Sequence, residues 1–227
     1  MSDPVIEQMV AKSRKYGWIL EPDAKALLKH CEIPVPHFEL AANADAAVDA
    51  ARRIGYPVAV KVVSPDVVHK TEVNGVVLGL SDDAAVRTEF ERFAVMDGFV
   101  GMLVEEMVAP GKELIIGGKN DPQFGPVVLL GIGGTGVEIY NDTALRMAPL
   151  VSADVEAMIH KLTGRELIHG FRGGAALDID SIINTVVRFS ELMMILGTAV
   201  ESLDLNPVIC TPTSLTVVDA RVILMMS

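Results

Sequence analysis

The chain has 227 residues, half of them hydrophobic, and a formal net charge of −11. That length allows one large domain or two small ones, and that apolar share is enough for a substantial core. The negative balance argues against a nucleic-acid backbone as main partner, because such binding draws its affinity from Lys and Arg neutralising phosphates; a nucleotide needs only a local positive pocket. Two cysteines, Cys31 and Cys210, make neither a disulfide framework nor a zinc site. They read as small core residues of a cytoplasmic protein. The opening MSDPVIEQMV has no basic region and no apolar run, so no signal peptide is expected. No apolar segment approaches the length of a membrane span.

Residues 1–17 are polar and mixed, consistent with a short helix. Leu20-Glu21-Pro22 opens a helix with Pro in its first turn, and Ala24, Leu27, Leu28 and Cys31 share one face. Ile33-Pro34-Val35-Pro36 breaks it, and residues 37–40 extend as a strand. Asn43 caps the next helix, with Ala47, Val48, Ala51 and Ile54 inward and Gly55 as its stop. Apolar runs at 57–63 and 76–80 then flank a polar loop, 64–75. Ser81 is expected to cap a helix running through Phe93, and residues 100–105 form a strand. The chain turns at Met107-Val108-Ala109-Pro110-Gly111. Strands follow at 113–118 and 126–131, then glycines at 131, 133, 134 and 136. Ser152 and Asp180 are expected to cap helices ending near Gly164 and Gly197. The tail, 203–209 and 215–222, forms two strands around Thr-Pro-Thr-Ser. Such an order predicts an α+β (α/β) protein of two lobes, divided near 106–111.

Lys61 stands in the middle of a β-branched run, where burial is costly unless its charge meets a partner. The loop after it gathers Ser64, Asp66, His69, Lys70, Thr71, Glu72 and Asn74. That density of donors and titratable groups suits a lid over an anionic ligand; a snorkelling Lys and an ordinary polar loop is the alternative. In the tail, a turn centred between Pro212 and Thr213 pairs Cys210 with Leu215 and sets Asn206 opposite Asp219, with Asp204 on the same face. Three hard-oxygen groups on one sheet face suit Mg²⁺; a solvated hairpin face with a bulge at Asn206-Pro207 is the alternative. Gly131-Ile132-Gly133-Gly134-Thr135-Gly136 satisfies a dinucleotide pattern, but Val137-Glu138-Ile139-Tyr140 favours a strand where that fingerprint needs a helix. Of the five histidines only His69 lies in a polar cluster.

The string Lys61…Ser64-Pro65-Asp66-Val67-Val68-His69-Lys70-Thr71-Glu72…Gly75-Val76 resembles the ATP-grasp subunit of ADP-forming acyl-CoA synthetases, relatives of succinyl-CoA synthetase. So do Phe124-Gly125-Pro126, Gly131-Ile132-Gly133-Gly134, Arg146…Ala148-Pro149-Leu150, Gly170-Phe171-Arg172-Gly173, Leu203-Asp204-Leu205-Asn206-Pro207 and Val218-Asp219-Ala220-Arg221. The resemblance implies a single ATP-grasp domain over 1–227, with ATP between an N-terminal lobe at 20–105, which carries the lid loop, and a C-terminal lobe at 106–227, which carries the metal-binding hairpin. By that likeness Lys61 contacts the phosphates, with Arg146 also at the nucleotide. Glu106, Met107 and Val108 hold adenine through backbone groups, Glu113 holds the ribose, and Asn206 and Asp219 hold Mg²⁺. His69 relays phosphate, its ring oriented by Glu72.

The implied reaction converts acid, CoA and ATP to acyl-CoA, ADP and phosphate. It needs a separate CoA-binding alpha-type subunit with a second histidine, hence a hetero-oligomer without nucleic acid or membrane. A silent regulatory or scaffolding ATP-grasp domain of an acyltransferase-type system is the alternative. Two residues depart from the family pattern: Asn74 stands where Gly is usual, and Asn141 where a Lys usually precedes Asp142. Asn tolerates positive φ, so the lid turn is expected to survive.

Overall fold

The computed structural model describes residues 3–67, 70–134 and 142–225. His69, Asn141 and the strand expected at 137–140 lie outside them. The chain forms two compact units. The smaller contains Leu20–Pro22 and Pro36–Ala109; the larger contains Met1–Ile19, Asp23–Val35 and Pro110–Ser227.

The smaller unit is a four-stranded antiparallel sheet in the order β2-β5-β3-β4, where β2 is Phe38–Ala41, β3 Val58–Val63, β4 Val76–Leu80 and β5 Gly101–Glu106. Helices α3 (Ala44–Ile54) and α4 (Asp83–Ala94) supply Ala47, Val48, Ala51, Val86, Phe90 and Phe93 to a core with Val58, Val60, Val62, Met102 and Val104. The side-chain period of two therefore turns Ala59, Lys61 and Val63 to the opposite face of β3. Asn43 caps α3 as expected, its side chain accepting from the Ala46 amide. Asp82, not Ser81, caps α4: its carboxylate takes the Ala85 amide at 2.9 Å. Either residue type suits an N-cap, so composition alone left a one-residue ambiguity.

The larger unit is built on a seven-stranded antiparallel sheet. Strands β1 (Trp18–Ile19), β11 (Ala220–Leu224), β9 (Val200–Cys210), β6 (Lys112–Asp121), β7 (Gly125–Ile132) and β8 (Thr143–Met147) lie in that order, and β10 (Leu215–Val217) also pairs with β9. One face is covered by α5 (Ser152–Lys161) and α7 (Ile179–Leu196), whose Val155, Met158, Val186, Phe189 and Met193 enter the core. Alone among the described helices, α7 with its extension to Ala199 is long and apolar enough to cross a membrane, and half of that window is buried in the protein. Asp178 caps α7 and Val151 precedes α5, where Asp180 and Ser152 were expected. Helix α1 (Pro4–Ser13) begins at Asp3, whose carboxylate accepts from Val5 and Ile6. Helix α2 (Glu21–His30) places Ala24, Leu27 and Leu28 in the larger core, which is why residues after Pro22 belong to that unit and not to a lobe spanning 20–105. Pairing throughout is antiparallel with helices on one face, so the class is α+β.

Candidate functional site

In the smaller unit, Lys61 lies 2.6 Å from Glu21 Oε1 and 3.2 Å from Glu105 Oε2. The Lys70 ammonium lies 2.7 Å from Glu21 Oε2. Lys61, Glu21 and Glu105 are buried to within a few per cent of full burial, and Lys70 keeps only 10% of its side chain exposed. Glu105 sits diagonally from Lys61 on the same sheet face, since Ala59 is its direct partner and Leu103 faces Lys61. The four groups balance two positive against two negative charges, and that balance is what makes burial of each tolerable. Lys61 is thus no snorkelling side chain. Sequence reasoning singled out Lys61 but missed Glu21 and Glu105. The available signal for Glu105 was a pair of acids, Glu105 and Glu106, ending an otherwise apolar strand.

The loop between β3 and β4 is fastened by its own backbone. Ser64 Oγ donates to the Asp97 carbonyl at 2.8 Å and accepts from the Asp66 amide at 3.0 Å. Gly75 N–H donates to Lys70 O at 2.6 Å, Asn74 N–H to Thr71 O at 3.2 Å, and the Arg92 guanidinium to Asn74 O at 2.8 Å. Asn74 takes φ of 52°, the left-handed conformation expected of it. Gly75 is required for space: a Cβ there would stand 2.5 Å from Val62 Cγ1. Glu72 is exposed on the loop. Glu106 ends β5, its amide bonded to the His37 carbonyl at 3.0 Å, with Met107 also exposed.

In the larger unit the tail ladder has the register read from the turn. Leu215 pairs with Cys210 and Ala220 with Leu205, and the Asn206 amide donates to the Asp219 carbonyl at 3.2 Å. The bulge also exists: β9 gains a residue against β6 between Val208 and Leu205, opposite the step from Leu114 to Ile116. It resets the alternation, so Leu203, Leu205, Val208 and Cys210 all face the core while Asp204 and Asn206 stay outward. Bulge and ligand-like face are therefore the same feature, not alternatives. Arg221 lies opposite Asp204 in the ladder. Burial raises the Asp204 carboxyl above its ordinary range, and Arg221 opposes that shift. Beside it lies a depression of about 430 Å³ lined by Gly117, Leu129, Leu145, Ser202 and Asp204 among others.

Arg146 does not join this face. On β8 it alternates with exposed Leu145 and Met147, shares its side with buried Ala144, and reaches Asp154 of α5 at 3.3 Å. Asp142 is equally structural: its carboxylate accepts the Thr163 and Gly164 amides, each at 2.7 Å. Glu113 is exposed at the start of β6, and its carbonyl accepts the Gly133 amide at 2.6 Å. A Cβ on Gly133 would fall 2.7 Å from the Glu113 carbonyl carbon, so this glycine serves close backbone approach within the sheet. Among the described residues no group of three His, Cys, Asp or Glu side chains could hold a metal. Any ion on this face would take oxygen from Asn206 and Asp219 and the rest of its shell from water or ligand.

Residues 10–224 match the ATP-grasp domain model. The chain belongs to the ATP-grasp family. It is 35% identical to the beta subunit of acetate–CoA ligase [ADP-forming] I of Pyrococcus furiosus, over 97% of this chain and 96% of that one. It is 36% identical to acetate–CoA ligase [ADP-forming] I of Archaeoglobus fulgidus, over 98% of this chain but only 33% of that longer protein. A solved structure of dinucleotide-forming acetyl-coenzyme A synthetase 1 from Ca. Korarchaeum cryptofilum superposes with a TM-score of 0.86 at 38% identity, covering 96% of this ATP-grasp chain and 99% of that one. That structure is a complex with coenzyme A and Mg-AMPPCP, its phosphohistidine segment pointing towards the nucleotide-binding site. The ATP-grasp domain described here is therefore of the kind found as the beta subunit of ADP-forming acetate–CoA ligases.

Proposed function

We propose that this chain is the nucleotide-binding subunit of a cytoplasmic ADP-forming acid–CoA ligase. With a separate CoA-binding alpha-type subunit it converts acid, CoA and ATP to acyl-CoA, ADP and phosphate. The observation that carries this reading is the end-to-end correspondence with the Pyrococcus furiosus beta subunit, 97% of one chain on 96% of the other.

His69 is the phosphate relay. An imidazole nitrogen attacks the γ-phosphorus of ATP, the P–N bond forms as the bond to the β,γ-bridging oxygen breaks, and ADP leaves with that oxygen. The phosphoryl group then passes to a second histidine on the alpha-type subunit. Phosphoryl transfer asks the protein for in-line positioning and neutralised charge. Glu72 orients the His69 ring. Lys61 is the cation for the phosphates, held extended by Glu21 and Glu105. Backbone groups of Glu106, Met107 and Val108 take adenine, and Glu113 the ribose. Arg146, which also pairs with Asp154, is a further cation for the nucleotide.

Asn206 and Asp219 fit Mg²⁺. Both would offer it hard oxygen, and their backbones are bonded to each other across the tail hairpin. Mg²⁺ when bound neutralises charge on the β- and γ-phosphates. Incubating the chain with γ-labelled ATP and Mg²⁺ tests the proposal. Acid-labile, base-stable label on the wild type and none on His69→Ala is expected. Absence of label despite measurable ATP binding would point instead to a silent ATP-grasp scaffold.

A further inference from the structure

Glu21 carries two lysines on one buried carboxylate: Lys61 at 2.6 Å on Oε1 and Lys70 at 2.7 Å on Oε2. Lys61 belongs to the fixed strand β3, whereas Lys70 belongs to the loop and directly follows His69 in the chain. Glu21 is itself on the first turn of α2, distant from both in sequence. Ser64 and Asp66 fasten the loop's entry, Arg92 grips Asn74 near its exit, and the Gly75 N–H bond to Lys70 O closes the loop on itself. The Lys70–Glu21 pair ties the side chain of the residue next to His69 to α2, and it is nearly dehydrated, with Glu21 1% and Lys70 10% exposed. A pair so buried is not weakened by solvent and salt as a surface pair is.

We infer that Glu21 is a positioning residue for phosphate transfer, anchoring the loop through Lys70 to the same carboxylate that orients Lys61. One carboxylate thereby indexes two things that an in-line transfer must hold in register: the phosphate-binding ammonium and the chain beside the accepting histidine. Glu105 gives Lys61 a second carboxylate, so that the buried group sets two negative charges against the two lysines. The rate part of this inference rests on the relay reading above; the anchoring part does not.

The test uses the full-length chain with three variants. Lys70→Met removes the loop cation and leaves Lys61 with both carboxylates. Glu21→Gln removes the shared charge. Lys70→Arg restores a cation. Hydrogen exchange of 70–75 without nucleotide is expected to rise by about tenfold in Lys70→Met and Glu21→Gln, with β3 unchanged in Lys70→Met as an internal control. Lys70→Arg is expected to remain near wild type. In the labelling assay, Lys70→Met should take phosphate from ATP about tenfold more slowly at saturating nucleotide, with unaltered nucleotide affinity, and Lys70→Arg should recover most of the rate. Wild-type exchange in 70–75 of Lys70→Met overturns the anchor. Raised exchange with an unaltered transfer rate overturns the positioning role. If the wild type accepts no label at all, the relay reading fails, and the exchange result alone still decides whether Glu21 anchors the loop.

Discussion

Asn206 and Asp219 face one another across the tail ladder, the amide of the first bonded to the carbonyl of the second at 3.2 Å. Asn206 is exposed on β9 and Asp219, partly exposed, lies across from it between β10 and β11, in line with the pairs Val208–Val217 and Leu205–Ala220. The bulge at Asn206-Pro207 makes this compatible with a continuous core, because Val208 and Cys210 still point inward. Asp219→Ala is therefore expected to keep the fold and to weaken Mg-dependent nucleotide binding by about tenfold or more, the size of a lost charge-assisted contact. Titration calorimetry with nucleotide in the presence and absence of Mg²⁺ checks this. Unchanged affinity with Mg²⁺ removes Asp219 from the metal site.

Lys61 predicts a second, separable effect. Its removal leaves Glu21 and Glu105 facing each other's environment with one buried cation fewer. Breaking a buried ion pair from one side costs about 3–5 kcal/mol, because an uncompensated charge remains. Lys61→Ala should lower stability by that order in urea denaturation. Adding Glu105→Gln should return a good part of the loss, since it removes the carboxylate that faced Lys61 while Glu21 keeps Lys70. A double variant no more stable than Lys61→Ala would show that the pair is not coupled. Nucleotide affinity should fall in both, by an amount the double variant does not restore.

The hairpin register was legible because a turn sequence and a period of two determine it together: Thr-Pro-Thr-Ser locates the turn, and counting back reaches Asn206 and Asp219. The loop and Lys61 were legible because charge in an apolar run needs a reason. What eluded sequence reading was long-range pairing. Nothing near Lys61 names Glu21, which lies 40 positions away, and the first turn of a helix ordinarily carries an acid for its dipole alone. The short β8 was also missed, because Thr143–Met147 alternates weakly, and its pairing of Arg146 with Asp154 of α5 is likewise long-range. Helix starts slipped by a residue or two wherever Ser and Asp neighbours compete for the cap, as at Ser81 and Asp82.

Asp204 gives the pH dependence its sign. Burial raises its folded-state pKa above the ordinary 3.8, with Arg221 pulling it partly back. The folded state thus holds this proton more tightly than the unfolded chain. The favourable contribution is complete below the unfolded pKa and is lost as pH rises through the folded pKa. Wild type should therefore carry a penalty at neutral pH that Asp204→Asn does not. The variant is expected to have the higher denaturation midpoint at pH 7 and to lose that advantage as the pH is lowered below about 4. An advantage that persists in acid would assign the effect to packing or hydrogen bonding and not to ionisation.

Neighbouring residues Asn74 and Gly75 make opposite predictions from backbone geometry. Asn74 has φ of 52° and is exposed, and its contact with Arg92 uses the carbonyl, which any residue supplies. Asn74→Gly relieves the left-handed conformation and leaves the carbonyl that Arg92 holds, so its stability effect should stay within about 1 kcal/mol. Gly75 has no positive φ to relieve; its constraint is space. A methyl there meets Val62 Cγ1 at 2.5 Å and the Lys70 carbonyl at 3.0 Å, and Val62 lies in the packed core of the smaller unit. Gly75→Ala must displace either strand β3 or the loop's tightest hydrogen bond, from Gly75 N–H to Lys70 O. A cost of about 1–3 kcal/mol is expected, as for other overpacked sites. It should appear in urea denaturation together with faster exchange of the Gly75 amide. If Asn74→Gly were instead the damaging change and Gly75→Ala silent, the loop would have to follow a different path, with the left-handed turn one residue later.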